Sequence, residues 1–432
     1  FFARSIPGRG MTLFLAVWLA VTVHAQELPR AAPEDVGLSA ERLARLDTAM
    51  QAYVDDKKLA GAVTLIARHG RVAHLRAFGK ASIEKGAPMQ ADSLFRIFSM
   101  TKPITSVALL MLLEEGGFQL SDPAEMYIPA FKDLKVMDKV DEGGHMVLVD
   151  QARKMTIHDL FRHTAGLSYG FGNTLVDEAY RKAGVNGLEP IKLEDLVAGL
   201  GTAPLLYQPG TRWVYSYAHD VQAYLVEHFS GMKFDDFLRK RLFEPLGMED
   251  TSFGLPREKL PRLTSMYAPV GYKNELVSFA PIQPGIAPIE TPENSPYLNG
   301  GDFPAGGSGL VSSAEDYFRF AQMLLNVGEF NGRRVLSRKT VELMTRNHLP
   351  PGVTGTFSPG GGYGLGVSVL FDLVASGNLG SEDQFGWSGA ASTTVIIDPR
   401  EDMVSILMVQ FRPANLSLWR QFQTLAYQAI SD

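Results

Sequence analysis

Cysteine is absent from the 432 residues of this chain. Its absence excludes disulfides, thiolate metal sites and a cysteine nucleophile together. The formal net charge is only −6, so no basic surface for nucleic acid is expected. The nine histidines include neither H-E-x-x-H nor a close ligand pair, and the glycine-rich stretch 360–366 does not match G-x-G-x-x-G. The sequence therefore predicts no metal site, no cofactor and no nucleic-acid partner.

Long apolar runs are also scarce, and one of them lies near the start of the chain. Arg4 and Arg9 precede the apolar run 13–23, which is followed by His24 and the small residue Ala25, as at a signal-peptidase site. The run is too short for a stable membrane span. We therefore predict a signal peptide over residues 1–25 and a periplasmic or secreted mature protein. The alternative is an unprocessed arm on a cytoplasmic protein.

A second apolar run, from Pro103 to Leu113, is the stretch around which the chain is organised. It is apolar on nearly all sides and ends at Gly116-Gly117, which predicts a buried helix. Pro103 has no N–H to donate to the carbonyl of Ser99, so it belongs in the first helical turn. Ser99 is therefore predicted at the helix N-terminus, with Lys102 on the same face.

The pair of Ser99 and Lys102 has a chemical use. A serine hydroxyl is a poor nucleophile until a base takes its proton. A buried lysine loses affinity for its own proton, so it can act as that base or keep a second base ionised. The helix N-terminus adds partial positive charge where an oxyanion develops. The alternative is a chance match, because short patterns such as S-x-x-K recur in long chains.

Two further motifs accompany this pair. Tyr215 and Tyr217 follow the turn Pro209-Gly210-Thr211, and a tyrosine whose phenolate is favoured by a nearby lysine can move the serine proton to a leaving group. The alternative is that these tyrosines only pack. Residues 386–390, Gly-Trp-Ser-Gly-Ala, lead into a strand whose edge can offer an N–H to the oxyanion. The alternative there is an ordinary glycine-rich bend.

The pattern of the remaining chain predicts an α+β fold. The predicted elements are a helix capped by Ser39, a hairpin of strands 62–67 and 72–78, a helix from Ser313 to Leu325, a strand from Tyr363 to Phe371, a hairpin around 398–402 and a closing helix from Leu416 to Ile430. We predict an antiparallel sheet flanked by N- and C-terminal helices, formed by residues 26–117 and 295–432. Short amphipathic helices between glycine- and proline-rich loops predict a mainly helical insertion domain over residues 118–294.

Together these motifs resemble the serine β-lactamase and penicillin-binding protein superfamily, and within it the family VIII carboxylesterases. The resemblance covers nearly all of the mature chain. Its further matching stretches are Leu160-Phe161-Arg162-His163-Thr164-Ala165-Gly166-Leu167, Glu244-Pro245-Leu246-Gly247-Met248 and Ala305-Gly306-Gly307-Ser308-Gly309-Leu310. The resemblance implies a β-lactamase/transpeptidase-like fold.

The resemblance also implies roles for single residues. Ser99 matches the acylated nucleophile, Lys102 its activating partner and Tyr215 the catalytic tyrosine. The backbone N–H groups of Ser99 and Ala390 match the oxyanion donors. Trp387-Ser388-Gly389 occupies the place of the Lys-Thr-Gly of β-lactamases. Tyr217 stands where β-lactamases usually have asparagine and is a second candidate for the catalytic tyrosine.

Three functional classes follow. The first is a carboxylesterase that hydrolyses short-chain acyl esters through an acyl-enzyme on Ser99, because aromatic walls of Trp213, Tyr215, Tyr217 and Trp387 are expected to limit pocket depth. The second is a β-lactamase or D-Ala-D-Ala peptidase. Trp387 replaces the lysine that helps to hold the β-lactam carboxylate, so only slow cephalosporin hydrolysis is expected. The third is a non-catalytic penicillin-recognising protein.

A second serine pattern competes with Ser99. Residues 166–170 formally match G-x-S-x-G, the nucleophile elbow of α/β-hydrolases, with Ser168 at its centre. That motif requires a strand before it and a helix directly after it. A helical pattern precedes it here and loop residues follow, so we predict that Ser168 is not the nucleophile.

Overall fold

The structure is a computed structural model, and it describes residues 27–186, 191–299, 304–353 and 359–432. The predicted signal peptide, residues 1–25, lies outside the described residues. Across the described ranges, no helix has both the length and the apolar character needed to span a membrane.

An eight-stranded antiparallel sheet forms the centre of the fold. The strands in this sheet are β1 (Gly61–Arg68), β2 (Arg71–Ser82), β3 (Ala87–Pro88), β13 (Gly361–Tyr363), β14 (Ser368–Leu370), β15 (Phe385–Ser388), β16 (Thr394–Asp398) and β17 (Met403–Val409). Their order across the sheet is β13-β14-β15-β16-β17-β1-β2-β3. The other strands of the described chain are β4 (Phe95–Arg96), β5 (Val136–Val140), β6 (Met146–Val149), β7 (Met266–Pro269), β8 (Val277–Ser278), β9 (Ile286–Glu290), β10 (Val311–Ser312), β11 (Glu329–Phe330), β12 (Arg333–Arg334) and β18 (Ala414–Asn415). The N-terminal and C-terminal parts of the chain meet where β1 pairs with β17, with Val63 opposite Met408.

Helices cover the sheet. Those in the described ranges are α1 (Ala40–Asp55), α2 (Thr101–Glu114), α3 (Ile157–Phe161), α4 (Leu175–Lys182), α5 (Leu193–Leu200), α6 (Ala218–Ser230), α7 (Phe234–Leu238), α8 (Glu244–Leu246), α9 (Ala314–Leu325), α10 (Arg338–Met344), α11 (Leu373–Ser376) and α12 (Leu416–Tyr427). The predicted α+β fold with an antiparallel sheet flanked by helices is confirmed.

Strand β1 is buried on both faces of the sheet, which explains why its sequence is an almost continuous apolar run. Successive side chains of a strand point to opposite faces. Val63 and Leu65 pack in the core on the side of α2, whereas Ile66 packs on the other side with Leu46 of α1 and Phe422 of α12. Every residue of β1 is therefore buried.

Helix α2 lies in the middle of the larger core. Its residues 101–112 are all buried, because α6 packs against one side of it and the sheet with α9 lies near the other. A short 3-10 turn, Phe98–Met100, precedes α2. The helix is therefore a buried, closely packed support for the residues at its N-terminal end.

The segment between residues 118 and 294 contains α3 to α8 and also short strand pairs, β5 with β6 and β7 with β9. One of its strands, β8, pairs in parallel with β18 near the C-terminus. This pairing joins the segment to the C-terminal part of the chain. The division into a domain of 26–117 with 295–432 and an insertion of 118–294 stays a prediction.

The single strand predicted from Tyr363 to Phe371 is wrong. The chain forms two strands there, β13 and β14, which pair with each other. Gly366 has a φ of 90° in the turn between them, and a Cβ on it would lie 2.1 Å from Ser106 Oγ of α2. The turn therefore needs glycine both for its left-handed backbone and for its close approach to α2.

Candidate active site

Ser99 stands in the 3-10 turn that leads into α2, and its side chain is half-buried. The residue before it, Phe98, has a φ of 42°, a left-handed conformation that is unfavourable for a residue with a Cβ. Such strain persists only where the surroundings hold it, and it is common next to reactive residues. Ser99, Phe98 and Tyr215 line one cavity of about 530 Å³.

Lys102 lies one helical turn after Ser99 and is fully buried. Its Nζ is 3.3 Å from Ser99 Oγ and 2.6 Å from the carbonyl oxygen of Gly307. It also lies 4.4 Å from the centre of the Tyr215 ring. Burial lowers the pKa of Lys102 to about 7, an effect that the negative charge of Asp220 partly opposes. A lysine with this pKa can accept a proton near neutral pH.

Asp220 on α6 and Gly307 complete the surroundings of the lysine. The Gly307 N–H donates to Asp220 Oδ1 at 3.0 Å, and burial raises the pKa of the Asp220 carboxyl. A Cβ on Gly307 would lie 2.7 Å from Tyr169 Oη and 2.8 Å from Asp220 Oδ2. Only glycine therefore lets this peptide bind the lysine through its carbonyl and the aspartate through its N–H.

Tyr215 donates a hydrogen bond from its hydroxyl to Ser99 Oγ at 2.6 Å. Burial raises the pKa of Tyr215, and contacts with Ser99 and Trp387 offset this only in part. The expectation that a nearby lysine favours the phenolate is therefore wrong for the resting state, because desolvation has the larger effect. The neutral phenol is placed as a proton donor next to the nucleophile.

Tyr217, the second candidate, is not brought to Ser99. It is buried, and its ring centre lies 4.8 Å from that of Tyr169 and 6.3 Å from that of Tyr180. Although Tyr215 and Tyr217 are only two residues apart, the Tyr215 side chain reaches Ser99, whereas the Tyr217 ring packs against Tyr169. Within the described ranges Tyr217 does not line the cavity, contrary to its prediction as a substrate-binding residue.

The third motif lies beside Ser99 in the fold. Trp387, Ser388, Gly389 and Ala390 all line the cavity. A Cβ on Gly389 would lie 2.4 Å from the carbonyl oxygen of Ile97, so the end of β15 packs directly on the backbone before Ser99. Ala390 packs in a small cluster with Phe98. The stretches that carry the two N–H groups predicted for the oxyanion are therefore adjacent, and their role stays a prediction.

The walls of the cavity differ from the expected set. Of the four predicted aromatic residues, Tyr215 and Trp387 line it, whereas Trp213 lies outside the lining found in the described ranges. Trp213 instead stacks on Tyr215, with ring centres 6.1 Å apart. The aromatic residues that line the cavity are Phe98, Tyr169, Phe171, Tyr215, Phe385, Trp387 and Trp419. One face of α12 forms a further wall, through Leu416, Trp419, Arg420 and Gln423.

Ser168 lines the same cavity but has a different environment. Its hydroxyl donates to Asp177 Oδ1, a carboxylate on α4 that also caps that helix with Thr174. The helix α3 precedes the motif and a loop follows it, so the strand and helix that a nucleophile elbow needs are missing around it. Within the described residues, no lysine or histidine forms a hydrogen bond with the Ser168 hydroxyl.

Two buried histidines next to the site had no predicted role. The ring centre of His163 lies 4.9 Å from that of Tyr215 and 4.7 Å from that of His219. Burial, together with the charge of Lys102, lowers the pKa of both histidines well below the usual value, so both rings are neutral. His163 lies in one of the stretches that carry the family resemblance, so the sequence offered a signal for it. Asp220 lies in no motif, and only tertiary packing brings its carboxylate close to Lys102. Within the described residues, no three His, Asp or Glu side chains converge as a metal site.

The lysine geometry predicts an acidic limb in the pH profile. If neutral Lys102 is the base, kcat/KM should be constant above about pH 8 and fall roughly tenfold per pH unit well below pH 7. Asp220→Asn should move this limb to lower pH, because it removes the charge that raises the pKa of Lys102. Steady-state kinetics on one ester from pH 5 to 9 will measure both profiles. An unshifted limb in the variant would contradict the assignment to Lys102.

Comparison with known proteins assigns this chain to a family. The chain matches the family model described as Beta-lactamase over residues 46–426. It is 33% identical over 369 residues to Protein Rv1367c of Mycobacterium tuberculosis, covering 82% of this chain and 86% of that protein. It is 30% identical over 370 residues to esterase EstB of Burkholderia gladioli, covering 83% of this chain and 88% of the esterase.

Among solved structures, the fold is similar to that of EstCE1, described as a hydrolase with promiscuous acyltransferase activity. The TM-score is 0.74 at 24% identity, and the match covers 91% of this chain and 99% of that one. The chain therefore belongs to the β-lactamase family, and its predicted place among the family VIII esterases of the serine β-lactamase and penicillin-binding protein superfamily is confirmed.

Proposed function

We propose that the protein is a serine carboxylesterase that hydrolyses short-chain acyl esters through an acyl-enzyme on Ser99. The observation that carries this proposal is the position of Ser99 Oγ, 2.6 Å from the Tyr215 hydroxyl and 3.3 Å from Lys102 Nζ. Ester hydrolysis by a serine enzyme needs a nucleophile, a base and a proton donor for the leaving group, and these three side chains supply them. The name of the relative EstB supports an esterase rather than a non-catalytic protein.

The proposed reaction has two steps, acylation and deacylation of Ser99, and the same residues act in both. Neutral Lys102 accepts the proton of Ser99 while Oγ attacks the ester carbonyl, and the N–H groups of Ser99 and Ala390 bind the oxyanion. Tyr215 gives its proton to the leaving alkoxide and receives a proton from Lys102. Water then attacks the acyl-enzyme, gives its proton to the same relay, and the acid leaves as Ser99 is reprotonated. A periplasmic or secreted location, from the predicted signal peptide 1–25, is part of this proposal.

Slow β-lactam hydrolysis is proposed as a side activity. A serine that is acylated by esters can also open a strained lactam if the ring fits. Trp387 is 7% exposed and its ring centre lies 5.1 Å from that of Tyr363, so an aromatic wall stands where β-lactamases carry the lysine. A lost charged hydrogen bond costs about 1.5–3 kcal/mol, roughly tenfold to a hundredfold in rate.

The acyl group is proposed to be short because rings crowd the nucleophile. Phe98 precedes Ser99, Tyr215 is bonded to it, and the Tyr169 ring centre is 5.4 Å from that of Tyr215. Phe171 stacks on Tyr169 at 4.8 Å and extends this wall towards solvent. The lining continues to α12 through Leu416, Trp419 and Gln423, and we assign that part of the cavity to the alcohol portion of the ester.

A panel of substrates tests the proposed function. We expect p-nitrophenyl esters to be hydrolysed best at acyl chains of about four carbons or fewer, in keeping with a pocket that discriminates by about 1–3 kcal/mol per methylene. A chromogenic cephalosporin should be hydrolysed slowly and a D-Ala-D-Ala peptide more slowly still.

Phe171→Ala offers the matched variant, because shortening the outer wall should move the optimum to longer chains. The proposal would be rejected by peak activity on long-chain lipids. It would also be rejected by cephalosporin turnover as fast as that of the esters.

A further inference from the structure

Arg412 contributes a guanidinium to the cavity that holds Ser99. Its side chain is half-buried, and its Nε is buried without a hydrogen-bond partner. No ion pair joins it to a carboxylate among residues 27–186, 191–299, 304–353 and 359–432. Nε is enclosed, so an incoming acceptor meets the terminal N–H groups. A guanidinium that no carboxylate of the described chain neutralises is suited to a negatively charged ligand there.

Two buried arginines of the described chain are used differently. Arg96 is fully buried and bonds Glu290 through Nε. Arg68 is 6% exposed and forms ion pairs with Glu401 and Asp432. Each of these two arginines is thus accompanied by a carboxylate of the chain. Arg412 departs from this pattern, and it does so inside the cavity.

Two aromatic rings pack against the guanidinium of Arg412 and restrict its orientation. Its Cζ lies 5.8 Å from the centre of the Phe98 ring and 5.7 Å from that of Tyr272. Rings on a guanidinium stabilise it by cation–π contacts and restrict its rotation. Its fork of N–H groups then remains for a planar acceptor, and a carboxylate fits that fork in a bidentate manner.

The position of Arg412 relates it to the reacting centre. Phe98, under the guanidinium, is the residue before Ser99. The N–H of Phe411 donates to the carbonyl of Ala391 at 3.1 Å, so Arg412 begins beside the turn that carries Ala390. The guanidinium and the predicted oxyanion N–H groups of Ser99 and Ala390 therefore border the same cavity from neighbouring stretches of backbone.

We propose that Arg412 binds a carboxylate on the alcohol portion of the substrate, so that the preferred substrates are short-chain acyl esters of hydroxycarboxylic acids. This inference rests on the proposed esterase function and specifies its substrate class. The short acyl group occupies the ring-lined part next to Ser99, and the hydroxy acid extends towards Arg412. Arg420, on the exposed end of the α12 wall, is the other cation that lines the cavity in the described ranges.

Two pairs of esters test the substrate class. The 3- and 4-butyryloxybenzoates carry a carboxylate on the alcohol portion, and the matching butyryloxybenzamides replace it by a neutral amide of similar shape. The wild-type enzyme should prefer at least one benzoate over its amide by about tenfold or more in kcat/KM, mainly through KM, as expected for a charged hydrogen bond. The preference should shrink as salt is added.

Variants assign the preference to a residue. Arg412→Gln should abolish it, and Arg412→Lys should leave an intermediate ratio, because lysine keeps the charge but lacks the fork. Arg338→Gln is the control: it removes an exposed arginine on α10 that pairs with Glu342 and is not part of the cavity lining, and it should keep the wild-type ratio. Thermal melts check folding, and if Arg412→Gln does not fold, the ratio in Arg412→Lys decides.

The outcomes separate two failures. If the amides and benzoates are both hydrolysed but the wild type shows no preference, or the preference survives in Arg412→Gln, the inference about Arg412 is overturned while the esterase function stands. A preference lost in Arg420→Gln and kept in Arg412→Gln would also overturn it. If none of the four esters is hydrolysed by folded enzyme, the proposed function itself fails.

Discussion

Ser99→Ala is expected to lower kcat/KM for short-chain esters by at least about a thousandfold, since removal of a nucleophile that acts with its base leaves only binding and oxyanion contacts. The change removes one hydroxyl from a half-buried turn, so the fold should remain. Both Tyr215 and Lys102 lose their shared partner in the variant. Steady-state kinetics, with a thermal melt of the same preparation, will measure the effect.

Ser168→Ala is the matched control, because Ser168 is a second serine in the lining of the same cavity. Its hydroxyl serves Asp177 rather than Lys102, so the variant should keep most of the esterase activity. Mass spectrometry after treatment with a serine-reactive phosphonate should place the adduct on Ser99. An adduct on Ser168, or near-normal turnover in Ser99→Ala, would refute the proposed nucleophile.

Lys102→Arg is expected to lose nearly as much activity as Lys102→Ala, on the order of a hundredfold to ten-thousandfold, the usual contribution of a general base. Arginine keeps the positive charge but cannot release its proton at working pH. The pKa of about 7 that burial gives Lys102 would therefore have no counterpart in the variant. Pre-steady-state release of p-nitrophenol will show whether acylation is the step that slows.

Volume has to be separated from proton transfer in this experiment. Lys102 is fully buried and its Nζ is 2.6 Å from the Gly307 carbonyl, so a larger guanidinium can displace its neighbours. Lys102→Met supplies the control, since methionine has a similar length without charge or proton. If Lys102→Arg kept most of its rate, the lysine would act as a positive charge only, and the proposed base would have to be Tyr215.

The fold and the helix that carries Ser99 were predictable because their signals are local. Pro103 and the apolar run 103–113 define a buried helix that begins near Ser99, and the structure places α2 over Thr101–Glu114. Ser39 caps α1 by accepting the N–H of Arg42, and the strands around residues 398–402 pair as expected. Each of these features depends on residues within one or two turns of each other, where backbone sterics and periodicity act directly.

The tyrosine could not be chosen from the sequence alone. Tyr215 and Tyr217 are two residues apart and follow the same turn, so local rules treat them alike. Tyr215 reaches Ser99 across 116 residues of chain, and the packing of α6 against α2 determines which ring arrives there. Tertiary packing likewise leaves the expected wall residue Trp213 outside the lining found in the described ranges and brings Tyr169 and Phe171 into it.

The sequence by itself thus determined the class of protein, the helix that carries Ser99 and Lys102, and the antiparallel sheet. The tertiary structure alone decided how the lysine is held, because Gly307 and Asp220 meet it from positions 205 and 118 residues further along the chain. It alone also showed that Arg412 forms no ion pair with a carboxylate in the described part of the chain. The physical reason is that desolvation and charge pairing, which set these properties, depend on which distant side chains share a cavity, and no local pattern encodes that.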